Sequence, residues 1–432
     1  MRSLPLHCLA ALLLSVLTLR AAPNPEPYPT AKSKKGLQVQ MVDDALALGV
    51  QHAGLNCHVA SYVDLIGAPG SVKFSFEGRD YFFRAAPLAR LDAQIKPLSD
   101  RGVIVNLILL NYENGDESLN AIFMHPRYDR AAKTNRMSAF NTATPDGLRH
   151  LRAAIAFLAQ RYGAADSAHG RVWNWIVGNE VNSHWWWNNM GRASAEEVAS
   201  EYEHAVRLVH DMVRPELENA RVFLSLEHHW GIRYPPGAAD QSCPGRELLE
   251  HFARFARERG DFAWHLAHHP YPENLGEPRF WLDKSAPPKD DAPRITFKNL
   301  EVLPRYLARA ELLWQGKPRR IILSEQGFHC PEHRPDGERD QAVAWCAAWW
   351  KVARLDGIDA FILHRHVDHA HEGLNLGLWT HQPNTISTPG RKRQMYELFR
   401  IADTPGWEKA FEFALPVIGV ERWDQLLPAP RP

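Results

Sequence analysis

Excess positive charge is the first thing this chain lacks. Fifty Lys and Arg are matched by fifty Asp and Glu, so the formal net charge is +0. No broad basic field is available to follow a nucleic-acid backbone, and no nucleic-acid partner is expected. Cysteine is scarce, with five in 432 residues and no CxxC pair. A chain this long does not depend on disulfide staples. Beyond the first twenty residues there is no apolar run of the roughly 20 residues that a membrane helix needs. No Gly-rich phosphate loop follows the first strand pattern, which argues against a doubly wound nucleotide fold. No HxH follows that strand and no HExxH helix occurs, so the clearest marks of a metal hydrolase are missing.

What is present begins with an export pattern. Arg2 supplies a positive charge, Cys8 to Leu19 an apolar segment, and Ala21-Ala22 small residues for cleavage. Cys8 precedes the apolar run, which argues against a lipoprotein anchor. Residues 1–22 are therefore expected to be a signal peptide and the mature protein to be periplasmic or secreted, with no integral membrane segment after cleavage. Residues 23–35, rich in Pro, Ser and Lys, read as a leader or linker, 36–405 as the folded catalytic domain and 406–432 as a Pro-rich tail. Four cysteines remain after processing: Cys57, Cys243, Cys330 and Cys346. A Cys330–Cys346 disulfide and four buried thiols are both open.

Between 36 and 405 the pattern alternates. Short aromatic and β-branched runs at 50–57, 103–110, 172–178, 222–226, 262–267, 320–324 and 358–363 read as buried parallel strands. Helical stretches separate them, at 41–48, 88–100, 145–162, 195–213, 246–259, 300–314, 341–355 and 391–401. A hairpin pattern interrupts the series at 72–83, turning at Glu77-Gly78. Strand then helix, repeated without a break in composition, argues for one α/β domain. Seven strands are visible where a closed (β/α)8 TIM barrel needs eight; the missing one is expected near 36–40, where the pattern is weak. The barrel is preferred because polar side chains gather after nearly every strand end. The expected fold is thus a (β/α)8 TIM barrel with an N-terminal β-hairpin insertion and long loops at its C-terminal rim.

Two of those strand ends carry the chemistry. Trp173-Asn174-Trp175-Ile176-Val177-Gly178-Asn179-Glu180 is an apolar strand that finishes on an Asn-Glu pair. Arg320-Ile321-Ile322-Leu323-Ser324-Glu325 has the same shape and ends on a lone Glu. Numbered from the missing strand, these are the fourth and the seventh, nearly opposite each other around the ring. Glycosidic cleavage needs two such groups, one protonated to donate to the leaving oxygen and one ionised to attack the anomeric carbon or activate water. Each feature also has a plainer reading. An Asn-Glu pair can cap a helix or form a structural ion pair. The indoles at Trp185-Trp186-Trp187 can pack a loop or stack on a sugar, and some of the fifteen tryptophans must serve the core. His228, His269 and His364, with Arg365, fall after strand ends, where they can bind sugar hydroxyls or tune a carboxylate, or hold a metal. Glu227 can be a third acid of the site or a rim residue.

The arrangement resembles glycoside hydrolase clan A, a group of (β/α)8 glycosidases. The resemblance rests on Asn179-Glu180 at strand four, Glu325 at strand seven, and His269-Pro270-Tyr271 after strand six. It implies that Glu180 is the acid/base, Glu325 the nucleophile, Asn179 a ligand of the substrate's 2-hydroxyl, and Tyr271 a hydrogen-bond donor to the nucleophile. The whole mature chain also looks like an uncharacterised family of exported bacterial barrel proteins related to that clan. That likeness is carried by Val177-Gly178-Asn179-Glu180-Val181-Asn182, His269-Pro270-Tyr271-Pro272-Glu273-Asn274 and Ser324-Glu325-Gln326-Gly327. There are departures: Asn56 and His58 stand where many members place an Arg on strand two, and His364-Arg365-His366 stands where a strand-eight Trp is usual. Arg365 is then the candidate for the positive charge beside Glu325. The expected activity is retaining hydrolysis of an oligo- or polysaccharide, without cofactor or metal. A non-catalytic carbohydrate-binding barrel and a metal-dependent hydrolase are the alternatives.

Overall fold

The computed structural model describes residues 22–132 and 135–427. The segment read as a signal peptide lies almost wholly outside the described residues. Eight parallel strands close into a barrel: β1 (Lys35–Gln38), β2 (His52–His58), β3 (Ile104–Leu110), β4 (Asn174–Val177), β5 (Arg221–Glu227), β6 (Trp264–His269), β7 (Ile321–Gln326) and β8 (Ile358–Leu363). The expected barrel is therefore present, and its weakest strand is the one that closes it. β1 pairs with β8 on one side, Gly36 opposite Ile362, and with β2 on the other, Gly36 opposite His52. Only glycine fits there, because a Cβ on Gly36 would lie 2.9 Å from the His52 carbonyl and from Ile362 Cγ1. Four residues with a central Gly carry almost no strand signature.

Alternation along each strand separates two cores. Ile108, Ile176, Phe223, Ala267, Ile322, Ala360 and Ile362 point inward and fill the barrel. Their neighbours Leu107, Trp175, Leu224, Leu266, Leu323 and Phe361 face outward under the helices. Tryptophan is spent largely on that outer layer: Trp175, Trp230, Trp264, Trp345 and Trp349 are fully buried. The helices start where capping residues permit. Thr144 accepts from the Gly147 N–H at the head of Pro145–Gly163, and Ser194 forms a capping box with Glu197 at the head of Ala195–Val213.

The hairpin insertion is Val72–Phe76 with Arg79–Phe83, and Val63–Asp64 adds a third strand. Its turn residues Glu77 and Gly78 both have positive φ (48° and 75°), as a two-residue hairpin loop demands. Phe83 stacks on Phe157, 3.8 Å between centroids, which seats the hairpin on Pro145–Gly163.

Several expectations need correction. The helix expected over 300–314 is a short helix, Val302–Leu307, followed by a 3-10 turn, Ala310–Leu312. The last helix begins at Gln394, because Pro389–Lys392 pairs instead with Trp379–His381. The leader is packed: Tyr28 lies edge-on to Trp173 and donates to Asn174 Oδ1 at 3.2 Å. The tail forms short helices, with Phe411 and Ala414 buried and Trp423 stacked on Trp350. Apolar spacing over a few residues is too short a signal to distinguish such pieces from loops. Cys57, Cys243, Cys330 and Cys346 are all buried free thiols, which resolves the open alternative against a disulfide.

Candidate active site

Just past β4 the chain makes a left-handed turn. Gly178 has φ 69°, and Glu180 sits at φ 43°, ψ 49°, a region that costs a non-Gly residue about 1–3 kcal/mol. The surroundings fix this geometry. Glu180 N–H donates to Ser225 Oγ on β5 at 3.1 Å, and its carbonyl accepts from Ser183 N–H at 2.8 Å. The turn is anchored by Glu227 at the end of β5. One Glu227 oxygen accepts from Asn182 Nδ2 (2.6 Å) and Ser183 Oγ (2.9 Å). The other accepts from His229 N–H (2.8 Å) and lies 2.7 Å from His229 Nδ1. Burial alone would raise the Glu227 pKa, but the His229 hydrogen bond and the charges of His229 and His228 hold it well below the usual carboxylate range.

Glu227 is thus an ionised clamp on the loop behind Glu180, a role that no strand-end motif foretells. Replacing it with Ala leaves buried donors on Asn182, Ser183 and His229 without an acceptor. Glu227→Ala is expected to cost about 3–5 kcal/mol of stability. A shift of the urea unfolding midpoint at unchanged m-value measures the loss; an unshifted midpoint would show that the clamp is not needed.

Across the barrel, Glu325 projects from β7. Tyr271 Oη donates to its Oε1 at 3.3 Å, and Gln38 Nε2, at the end of β1, to its Oε2 at 3.5 Å. His269, last residue of β6, bridges the two sides. Its Nδ1 lies 2.9 Å from Glu180 Oε1 and its Nε2 3.0 Å from Ser324 Oγ. One oxygen from each of Glu180 and Glu325, and one nitrogen of His269, all lie within 4.8 Å of one another. Burial raises the Glu180 pKa, the His269 hydrogen bond and charge pull against it, and the Glu325 charge adds to the rise. For His269 burial works downward, but the Glu180 hydrogen bond and the surrounding carboxylate charges carry its pKa above the ordinary imidazole value.

These groups open into a cleft of about 700 Å³ at the C-terminal rim. Of the residues read from the sequence, Asn179, Glu180, His228, Tyr271, Glu325 and His364 line it, and His269 is buried between the two acids. Trp185 and Trp186 do not line it. Trp185 is buried with the Arg192 guanidinium over its ring, and Trp186 packs edge-on against Tyr234. Trp187 is the indole on the cleft wall. In the short helix His184–Trp187 successive side chains turn by about 100°, so three adjacent indoles cannot share one face. Arg365 is not beside Glu325; it pairs with Glu372, and the donors that reach Glu325 are the neutral Tyr271 and Gln38. Gln38, Tyr112, Tyr234, Arg294 and Glu372 also line the cleft. They were missed because each sits on a strand too short to recognise or on a loop whose path the sequence does not specify.

Two clusters bring three possible metal ligands together, Glu227–His228–His229 and Glu180–His269–Glu325. In the first, both carboxylate oxygens are already engaged by donors; in the second, both His269 nitrogens are.

Fold and rim cleft together define a (β/α)8-barrel protein. The chain is similar in fold to a family 39 glycoside hydrolase from Bacteroides cellulosilyticus WH2 (TM-score 0.51, 12% identity, covering 88% of this chain and 66% of that one). It is likewise similar to a hyperthermophilic β-glucosidase from Pyrococcus furiosus (TM-score 0.52, 15% identity, covering 87% and 86%). It spans just under two thirds of the first neighbour's length. No curated protein sequence matches it. Residues 27–426 match the family described as "Family of unknown function (DUF5722)", and the chain belongs to that family.

Proposed function

We propose that the protein is an exported, retaining glycoside hydrolase acting on an oligo- or polysaccharide, with Glu325 as nucleophile and Glu180 as acid/base. One observation carries this reading: the two carboxylates, one just past β4 and one on β7, approach to within 4.8 Å in one cleft. Retaining enzymes hold the pair about 5–5.5 Å apart, whereas inverting ones leave about 6.5–9.5 Å for a water. Glu325 attacks the anomeric carbon as the glycosidic C–O bond breaks, and Glu180 gives its proton to the departing oxygen. In the second step Glu180 takes a proton from water, which attacks the same carbon and frees Glu325. Tyr271 stabilises Glu325 as the carboxylate, and Asn179 and Trp187 are placed to hold the sugar. Export is supported by the pattern of residues 1–22, and fractionation of a native host would check it.

The test is release of reducing sugar from a panel of polysaccharides, with the first-formed anomer read by proton NMR. Release with retention is expected, and EDTA should leave the rate unchanged. Release with inversion would overturn the nucleophile assignment. Loss of activity on chelation, restored by a divalent ion, would favour a metal-dependent hydrolase. Oligosaccharide binding without release from any glycan would leave a binding barrel.

A further inference from the structure

Among the described lining residues the cleft has one Lys or Arg side chain, Arg294. Its Nη1 donates to Ser285 Oγ at 2.9 Å, and its Nε is buried without a hydrogen-bond partner. The nearest acid is Glu273, whose carboxyl feels the Arg294 charge but takes its hydrogen bonds from other donors. Glu273 accepts from Ser285 Oγ (2.5 Å), Ser285 N–H (2.7 Å) and Lys284 N–H (3.0 Å), so Arg294 reaches it only through the shared Ser285 hydroxyl. Glu372 is paired with Arg365, and Glu227 is filled by Asn182, Ser183 and His229. By contrast, Arg279 and Arg334, in the same rim region, both have carboxylate partners.

Beside Arg294 is a second side chain with one ring nitrogen open. His228 is 6% exposed, lines the same cleft, and its Nδ1 is buried without a partner. The two are fixed side by side: Arg294 forms a backbone bridge with His229, and Ile295 N–H donates to the His228 carbonyl at 2.9 Å. A buried N–H of a guanidinium without an acceptor is costly. A sugar hydroxyl offers one oxygen to the guanidinium fork; a planar or tetrahedral oxyanion offers two, with charge opposite to that of the fork.

We propose that Arg294, with His228 beside it, forms a subsite for an anionic substituent on the glycan, either the carboxylate of a uronic acid or an ester sulfate. This names the substrate class of the cleft and rests on the glycosidase reading.

The test uses the full-length mature Glu325→Gln protein and isothermal calorimetry with oligosaccharides of matched length. The neutral set is cello-, xylo- and manno-oligosaccharides; the charged sets are oligouronates and sulfated oligosaccharides. A member of a charged set is expected to bind about 10- to 100-fold tighter than the neutral ones. Arg294→Met should bring that ratio close to one, and Arg294→Lys should keep part of it; Arg294→Gln replaces Arg294→Met if the latter does not fold. Preference for uronates or for sulfates identifies the source of the anion. Neutral oligosaccharides binding as tightly, no charged member binding, or a ratio unmoved by loss of the guanidinium would each overturn the subsite. Reducing-sugar release by the wild type is scored separately. Release from neutral glycans alone sinks the subsite and spares the glycosidase reading, whereas charged-glycan preference without release does the reverse.

Discussion

Glu325→Ala is expected to lower turnover of any substrate found by about 10⁴-fold or more, the scale seen when a covalent nucleophile is removed. The loss should fall on kcat/KM for good and poor leaving groups alike, because no glycosyl–enzyme bond can form whatever departs. Truncating the side chain to Ala removes the carboxylate and the methylene that bears it, room that a small anion is expected to fill. Azide added to Glu325→Ala should therefore attack from the face that the carboxylate used, giving a glycosyl azide of inverted configuration and not the original anomer. Mass spectrometry of the wild type with a 2-fluoro glycoside of the right sugar should place the label on Glu325. Near-normal turnover by Glu325→Ala, or label on Glu227, would end the assignment. Thermal melting of the variant guards against a trivial loss: among the described residues Glu325 is hydrogen-bonded only by Tyr271 and Gln38, at 3.3 and 3.5 Å, so the fold should tolerate the change.

Legibility in the sequence followed the reach of each physical signal. The two catalytic candidates were readable because a buried strand that ends abruptly in a carboxylate is rare and local, and both strands lie entirely within their own motifs. Seven of eight barrel strands were readable for the same reason. β1 was not, since Gly36 is dictated by how closely His52 and Ile362 approach it, and neither is its neighbour in the chain. The clamp at Glu227 and the cation at Arg294 depend on partners that only folding brings near: Asn182 is 45 residues from Glu227. Arg365 was misplaced by the same limit. Its position after β8 was correct, yet Glu372, seven residues on, takes its charge. Position at the rim is written in the strand pattern; the direction of a side chain on a rim loop is not.

Glu180→Ala should separate the two steps that the proposed mechanism assigns to one carboxyl. For a substrate with a poor leaving group, loss of the proton donor should lower kcat/KM by about 10²–10⁴-fold. An activated aryl glycoside departs without help, so its kcat/KM should fall far less. Its kcat should still drop, because water attacking the glycosyl–enzyme has lost its base; the intermediate then accumulates and KM falls with kcat. Azide needs no base, and should restore kcat while yielding a glycosyl azide of retained configuration, the opposite of the Glu325→Ala product. The pH profile adds an independent check. Turnover requires Glu180 protonated and Glu325 ionised, so kcat/KM must decline on the alkaline side as Glu180 loses its proton. Burial, reinforced by the Glu325 charge, raises the Glu180 pKa, so that decline should lie above the ordinary carboxylate range of about 4.3. In Glu180→Ala the alkaline limb should vanish for the activated substrate. If the alkaline limb survives unchanged, it reports another group, and His269, 2.9 Å from Glu180 Oε1, is the one to test next with His269→Asn. A retained limb in Glu180→Ala that disappears in His269→Asn would move the proton donor's pH control from the carboxyl to the imidazole, while leaving Glu325 as the nucleophile.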